Sequence, residues 1–372
     1  MRELPRYIAL PSNLMRIDIH HHFLPNPPTY PDEPLQTWLH HNSRVQDYAD
    51  APAVVAALDA AGIDVAVWQG EYYRQHTACV ARNRMVQQAM RYAPTRLQAF
   101  VVVQPNHPDA CDEIARGVAA GMCGVGELNP VAQGFSLRDA GFLRCAEYCA
   151  RHAIPMLLHV NEPVGTAYPG KVDISLVDCY EVAARFPELR LILAHWGGGL
   201  FFYEMMPNVA RTLANVYYDT AAGSLIYPDT AKIVQVALTV APQKIMFGSD
   251  FPLKLPPTQP ATVAWYANQI QTHLPAAWHD AWFGVTAQQV VFATQQISDR
   301  ADAPPLLIRG ATSVVALVEQ LPAADAILQR WGITVTARTP WWHTIAHEMM
   351  MAGHSPANLT TVLDLLRASQ PD

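Results

Sequence analysis

"RIDIHHHFLP" (residues 16–25) places three histidines in a row behind an aspartate, at the end of an apolar run, "LMRIDIH" (14–20). Such a run suits a strand buried on both faces. Seven more runs repeat it: "IDVAVWQ" (63–69), "LQAFVVVQ" (97–104), "CGVGEL" (123–128), "IPMLLHV" (154–160), "LRLILAH" (189–195), "NVYYDT" (215–220) and "KIMFGSD" (244–250). Amphipathic stretches lie between them, such as "APAVVAALDAAG" (51–62), "PDACDEIARGVAAG" (108–121) and "SLVDCYEVAARFPE" (175–188). Gly62 and Gly121 read as helix stop signals. Strands alternating with helices imply a parallel sheet, and eight such units predict a (β/α)8 barrel. The runner-up is a doubly wound open sheet; no GxGxxG or Walker loop follows any strand to favour it.

Two segments interrupt the alternation. Residues 23–50 form a Pro-rich excursion ("FLPNPPTYPDEP"), long enough for a lid or pocket wall. Residues 301–311 read as a linker between a barrel over 1–300 and a small helical appendage over 312–372.

Composition narrows the function classes. The chain has 372 residues, 51% of them hydrophobic, enough for a large core. A net charge of -7 without a basic run speaks against nucleic acid or an anionic membrane as partner. No apolar stretch reaches membrane-span length, and "MRELPRYIALPSNLMRIDIHHH" has no signal-peptide pattern. Six scattered cysteines without a CxxC are expected to be reduced thiols of a cytoplasmic protein. Cys145 and Cys149, four apart, share a helix face and read as core packing. The expected partner is a small molecule, and a homo-oligomer is compatible with the chain.

In a barrel enzyme the chemistry sits where strands finish. Strand one offers Asp18, His20 and His22, which share a face at period two, with His21 pointing the other way. Strand four ends in Glu127, strand five in His159, strand six in His195 and strand eight in Asp250. One strand-end histidine is ordinary; this set reads as a metal site. Nitrogen and carboxylate donors without thiolate favour Zn2+, with Mn2+, Fe2+ and Co2+ as alternatives, as one ion or two.

As a set, "DIHHH", the histidines ending strands five and six, and "GSDFP" on strand eight resemble the amidohydrolase superfamily. The likeness is to its amidohydrolase-related branch of hydrolases, lactonases and decarboxylases, and it covers residues 14 to 300. It implies a distorted TIM barrel with the metal at the C-terminal mouth. It also implies ligand roles for His20, His22, His159 and Asp250, and a second-metal or substrate role for His195. Glu127 departs from many members of that branch. A strand-four glutamate bridges two metals in the TatD-like nucleases of the same superfamily, so Glu127 is either such a bridge or an unligated pocket carboxylate.

The favoured chemistry is hydrolysis of an ester, lactone or amide. The cation would lower the pKa of bound water from about 16 towards about 7. Asp250 would carry the proton, His195 would polarise the carbonyl or bind a second ion, and Asp18 would orient an HxH imidazole. The alternative is non-oxidative decarboxylation of an aromatic or muconate-type acid, with Arg74 or Lys254 for the carboxylate. A non-catalytic metal-binding scaffold is the third reading. Pocket walls are expected from Trp68, Glu71, Tyr72, Tyr73, Asn129, Asn161, Glu162 and Trp196, beside the run Gly197–Gly199. The appendage weakly resembles a small helical domain of hybrid-cluster-associated and iron–sulfur repair proteins, without the cysteine those domains carry. His343, His347 and His354 there read as packed or exposed residues in preference to a metal clip.

Overall fold

The computed structural model describes residues 15–24, 47, 49–168, 171–253, 262–292, 314, 317–318, 321, 323–336 and 345–369. Most of the 23–50 excursion, Lys254, the 301–311 linker and His343 lie outside the described residues.

Eight parallel strands follow one another around a sheet in chain order. They are β1 Ile17–His22, β2 Val65–Gln69, β3 Leu97–Val101, β4 Gly124–Leu128, β5 Met156–Leu158, β6 Leu191–Leu193, β7 Val216–Asp219 and β8 Ile245–Met246. The ring closes where the end of β8 meets β1: Ile19 N donates to Phe247 O at 3.0 Å and His22 N to Phe251 O at 2.8 Å. A helix follows each strand, from Ala51–Ala61 after β1 to Val263–His273 after β8. This is the expected (β/α)8 barrel. Asp50 caps the first helix through Ala53 N, and Gly62, at φ 63, ends it in the left-handed conformation a side chain would strain.

Ile17, Ile19, Val65, Val67, Leu157, Ile192 and Met246, each from a strand, pack into one fully buried cluster. Fully burying each such side chain is worth about 1.5–3 kcal/mol. These apolar layers fix the strands, and the strand ends beyond them carry the polar residues.

The chain divides into two compact units, residues 1–178 with 188–295, and 179–187 with 296–372. Within the second, the helices Ala323–Arg330, Ile345–Met351 and Pro356–Ala368 enclose an apolar core that includes Leu317, Leu328, Ile345, Val362 and Leu366. His354 Nε2 lies 2.7 Å from Trp331 O, a structural contact. No helix among the described residues is long and apolar enough to cross a membrane.

Candidate metal centre

Two bulges shape the mouth of the barrel. Between Asp18 and His21, β1 advances three residues while β2 advances two, from Ala66 to Trp68. Between Val125 and Leu128, β4 likewise advances three against two on β5. An extra residue breaks the alternation of a strand and re-aims the side chains after it. The first bulge separates Asp18 from His20 and His22, which strict alternation had put on one face. Asp18 Oδ2 instead lies 2.7 Å from His21 Nε2, and its Oδ1 accepts from Ser249 N at 2.9 Å. The imidazole that Asp18 orients is therefore His21, outside the HxH pair. The second bulge carries Glu127, where Gly126 sits at φ 142 and an added Cβ would lie 2.6 Å from Leu157 O.

The residue that anchors His20 is Asp219, at the end of β7. Its Oδ2 lies 2.8 Å from His20 Nδ1, while its Oδ1 accepts from His195 N at 2.8 Å and Ala221 N at 3.0 Å. "VYYDT" held the signal: a carboxylate at a strand end, on a strand from which the sequence reading took no site residue.

His20, His22, Glu127, His159, His195 and Asp250 come together, all buried. Glu127 stands in the middle. Its Oε1 is 2.8 Å from His159 Nδ1 and 3.6 Å from His195 Nε2; its Oε2 is 3.4 Å from His20 Nε2 and 3.9 Å from His22 Nε2. Tyr72 donates its hydroxyl proton to Oε2 at 2.6 Å. Asp250 Oδ1 lies 3.1 Å from His22 Nε2 and 3.7 Å from His20 Nε2. His195 (φ 57) and Asp250 (φ 64) both hold the left-handed backbone, which costs a non-glycine residue about 1–3 kcal/mol when the surroundings impose it.

Hydrogen bonds on the outer side of the rings set their tautomers. His20 Nδ1–H points to the Asp219 carboxylate. His195 Nδ1–H donates to Ala221 O at 2.9 Å. His159 Nε2 lies 3.0 Å from Asn161 Oδ1, which also accepts from Val172 N at 3.0 Å, so the imidazole is the donor. Each inner nitrogen, His20 Nε2, His159 Nδ1 and His195 Nε2, is left with a lone pair aimed at Glu127. His20 Nε2 is fully buried with no hydrogen-bond partner.

The electrostatics ask for positive charge at His20 and His195. Burial disfavours a charge on His20, but Glu127, Asp219 and Asp250 outweigh it and lift its pKa well above the usual imidazole range. The same contest of burial against Glu127 and Asp250 lifts His195 to about 9. Burial would raise the carboxyls, yet His20 with His159 holds Glu127, and His20 with His22 holds Asp250, below the usual carboxylate range. Burial and the neighbouring Glu127 push the Tyr72 hydroxyl well up. A buried group of lone pairs and carboxylates that favours cations fits a divalent metal of nitrogen and oxygen preference. Two sets, His20 with His22 and Glu127, and Glu127 with His159 and His195, have ligand atoms within 4.8 Å of one another.

Several expected wall residues have other work. Glu71 is buried in a two-pronged ion pair with Arg82, whose Nη2 lies 2.8 Å from Glu71 Oε1. Trp68 and Tyr73 are fully buried in the packing, and Trp196 packs against Trp282 and Phe201. Asn129 caps the short turn that follows β4 by accepting from Ala132 N at 3.1 Å. Arg74 Nε donates to Ala132 O at 2.9 Å. Asn161 links His159 of the cluster to Tyr168, which with Glu162, Phe202, Tyr203 and Tyr227 lines an open cavity of about 430 Å³. Asn161 Nδ2 donates to Tyr168 Oη at 3.1 Å, Tyr168 donates to Glu162 Oε2 at 2.9 Å, and Lys171 Nζ lies 3.0 Å from Glu162 Oε1. The sequence reading missed the four aromatic residues because they lie in a loop and in short helical turns well past the strand ends.

Solved structures of low sequence identity share this fold. A 5-carboxyvanillate decarboxylase from Sphingomonas paucimobilis aligns with a TM-score of 0.58 at 16% identity, over 76% of this chain and 100% of that one. A 2,6-dihydroxybenzoate decarboxylase from Rhizobium aligns at 0.56 and 16%, over 75% and 98%. A dihydroxybenzoic acid decarboxylase from Polaromonas sp. JS666, solved with bound manganese and 2-nitroresorcinol, aligns at 0.58 and 15%, over 75% and 97%. No curated protein matches the chain by sequence. A family model, amidohydrolase, matches residues 17–292, from the first strand through the last barrel helix, and the chain belongs to that family.

Proposed function

We propose that this chain is a metal-dependent, non-oxidative decarboxylase of a small aromatic hydroxy acid. The observation that carries the reading is the convergence of His20, His22, Glu127 and Asp250, a cluster linked through His159 and Asn161 to Tyr168 on the wall of a cavity that Phe202, Tyr203 and Tyr227 also line. The cavity volume suits a single substituted ring. The decarboxylases that share the fold, one of them with bound manganese, support this chemistry over hydrolysis and Mn2+ over Zn2+.

His20, His22, Glu127 and Asp250 would hold the cation. When bound, it supplies the electrostatic grip on the substrate's carboxylate and neighbouring hydroxyl. Asp250, ionised at rest and the most exposed residue of the cluster at 8%, is the proton carrier. Its carboxylate takes the phenolic proton and delivers it to the ring carbon that bears the carboxylate. The carbon–carbon bond then breaks, carbon dioxide leaves, and the electron pair returns to the ring. The product phenolate takes a proton from solvent. The aromatic walls hold the ring. Lys171, at the edge of the cavity beside Glu162, is the described cation placed to steer an anionic substrate towards it.

Hydrolysis remains the second reading, because Asp250 faces the same cluster and would serve equally as the base for a water. The discriminating experiment incubates Mn2+-loaded protein with ortho-hydroxybenzoates and, separately, with aryl esters and lactones. Carbon dioxide and a phenol in equal amounts are expected; ester or lactone cleavage without carbon dioxide release overturns the proposal.

A further inference from the structure

The segments that follow β2 and β3 bring together three further side chains of ligand type, none of them shared with the metal centre. His76 opens the helix His76–Met90, and His107 and Asp109 precede the helix Ala110–Ala119. The two imidazoles stack, with 4.0 Å between centroids and 5° between planes. Backbone contacts hold the two segments in place. Gln104 Nε2 donates to Arg74 O at 3.0 Å, which ties one to the other. His107 N donates to Gln104 O at 3.0 Å, and His107 O accepts from Ala110 N at 3.2 Å.

Two of these side chains are short of partners. His76 Nδ1 is buried with no hydrogen-bond partner, a state that costs about 1–3 kcal/mol. Asp109 stands at the N-cap of its helix, where an aspartate usually accepts from a helix amide, yet its side chain makes no such bond. Its Oδ2 lies 3.9 Å from His107 Nδ1, too far for a hydrogen bond. His107 Nδ1 accepts from Asp109 N at 3.2 Å, so the neutral ring keeps its proton on Nε2 and a lone pair on the Asp109 side. Burial and the neighbouring His107 hold His76 below the usual imidazole range, which keeps it neutral and able to ligate. A ligand atom of each of the three residues lies within 4.8 Å of the other two. Ligands of a four-coordinate cation with bonds of about 2.1 Å sit about 3.4 Å apart. Rotation about χ2, a soft torsion in histidine, closes that gap and turns the parallel ring edges towards one point.

We propose that His76, His107 and Asp109 form a separate surface site for a divalent ion of the Zn2+ class, with water completing its shell. Two imidazoles and one carboxylate favour Zn2+, Ni2+ or Cu2+ over Mg2+ and Ca2+. The side chains of His107 and Asp109 are 38% and 65% exposed, so the ion enters from solvent. A water molecule would satisfy His76 Nδ1 alone; a cation engages all three side chains. The bound ion pins the start of the helix His76–Met90 to the segment after β3. Tyr72, four positions before His76, donates to Glu127 Oε2 at 2.6 Å, so the pinned segment is the one that reaches the metal centre. The site stands apart from the proposed reaction and holds whether or not that reaction is correct.

The test compares Zn2+ stoichiometry in the full chain and in two variants, His107→Ala and Asp109→Asn, each checked for folding by circular dichroism. Chelator-stripped proteins are dialysed against Zn2+, and bound metal is measured by elemental analysis. Zn2+ that enters the barrel centre counts equally in all three proteins. The native chain is expected to hold one Zn2+ more than His107→Ala, with weaker binding of that ion in Asp109→Asn. Equal Zn2+ content and affinity in the native chain and both folded variants overturns the proposal. A zinc-edge anomalous map from crystals of the native protein decides the matter independently of the variants. Density bounded by His76, His107 and Asp109 is expected, and its absence at saturating Zn2+ overturns the proposal. Density in the crystal without the additional Zn2+ in solution marks binding at crystal concentration only, and that result overturns it as well.

Discussion

Asp219 accepts the Nδ1–H of His20 at 2.8 Å, tying the end of β7 to the end of β1. The same carboxylate receives the backbone N–H of His195. Asp219→Ala removes the acceptor from two backbone donors and one imidazole. Each buried group left unpaired costs about 1–3 kcal/mol, and losing the partner of a ligating imidazole weakens metal binding about 10–100-fold. Titration calorimetry with Mn2+ and urea unfolding measure the two effects. Undiminished affinity would remove Asp219 from the support of the centre.

The Glu71–Arg82 pair gives a prediction of opposite kind. Arg82→Met leaves a buried carboxylate alone and is expected to destabilise the fold by about 3–5 kcal/mol. Glu71→Leu combined with Arg82→Met is expected to restore most of that loss, because the charge and its partner leave together. Denaturant unfolding of the three proteins decides it. A double variant as unstable as the single one would contradict the account.

The metal-free protein should lose stability as the pH rises. His195 is raised from 6.5 to about 9 in the folded protein. A raised imidazole contributes stability that is complete below 6.5 and is lost as the pH climbs through about 9. The depressed carboxyls of Glu127 and Asp250 act in the acid range, where their contribution is lost as the pH falls below the usual carboxylate values. Thermal unfolding of chelator-treated protein should therefore show a decline across the alkaline interval. Mn2+-loaded protein should show less of it, since a cation held by Glu127 and Asp250 offsets the negative charge that raises His195. A flat profile for the metal-free protein would contradict the electrostatic description.

Gly198 tests the link between the glycine run and the histidines. It adopts φ +58, and a Cβ there would lie 2.5 Å from Asn161 O. Gly198→Ala is expected to cost about 1–3 kcal/mol in backbone strain. It should also displace Asn161, which holds the His159 ring against Glu127, and so lower Mn2+ affinity. Wild-type affinity in the folded variant would show that Asn161 does not transmit the shift.

The barrel was legible in the sequence because both of its signals are local: apolar runs mark the strands, and helix stops such as Gly62 mark the returns. His20, His22, Glu127, His159, His195 and Asp250 were legible as strand-end residues of ligand type. Asp18 was misplaced because period-two counting fails at a bulge, and nothing in "RIDIHHH" announces one. Asp219 was missed because its importance lies in partners on two other strands. Glu71 looked like a mouth carboxylate until Arg82, eleven positions along, turned out to neutralise it. The aromatic walls Phe202, Tyr203 and Tyr227 depend on how short helical turns after the strands pack, which no local pattern fixes.

The most direct measurement is an anomalous-difference map from crystals of the protein grown with Mn2+. The account predicts density bounded by His20, His22, Glu127 and Asp250. Manganese located elsewhere, or its absence from that position at saturating concentration, would contradict the account.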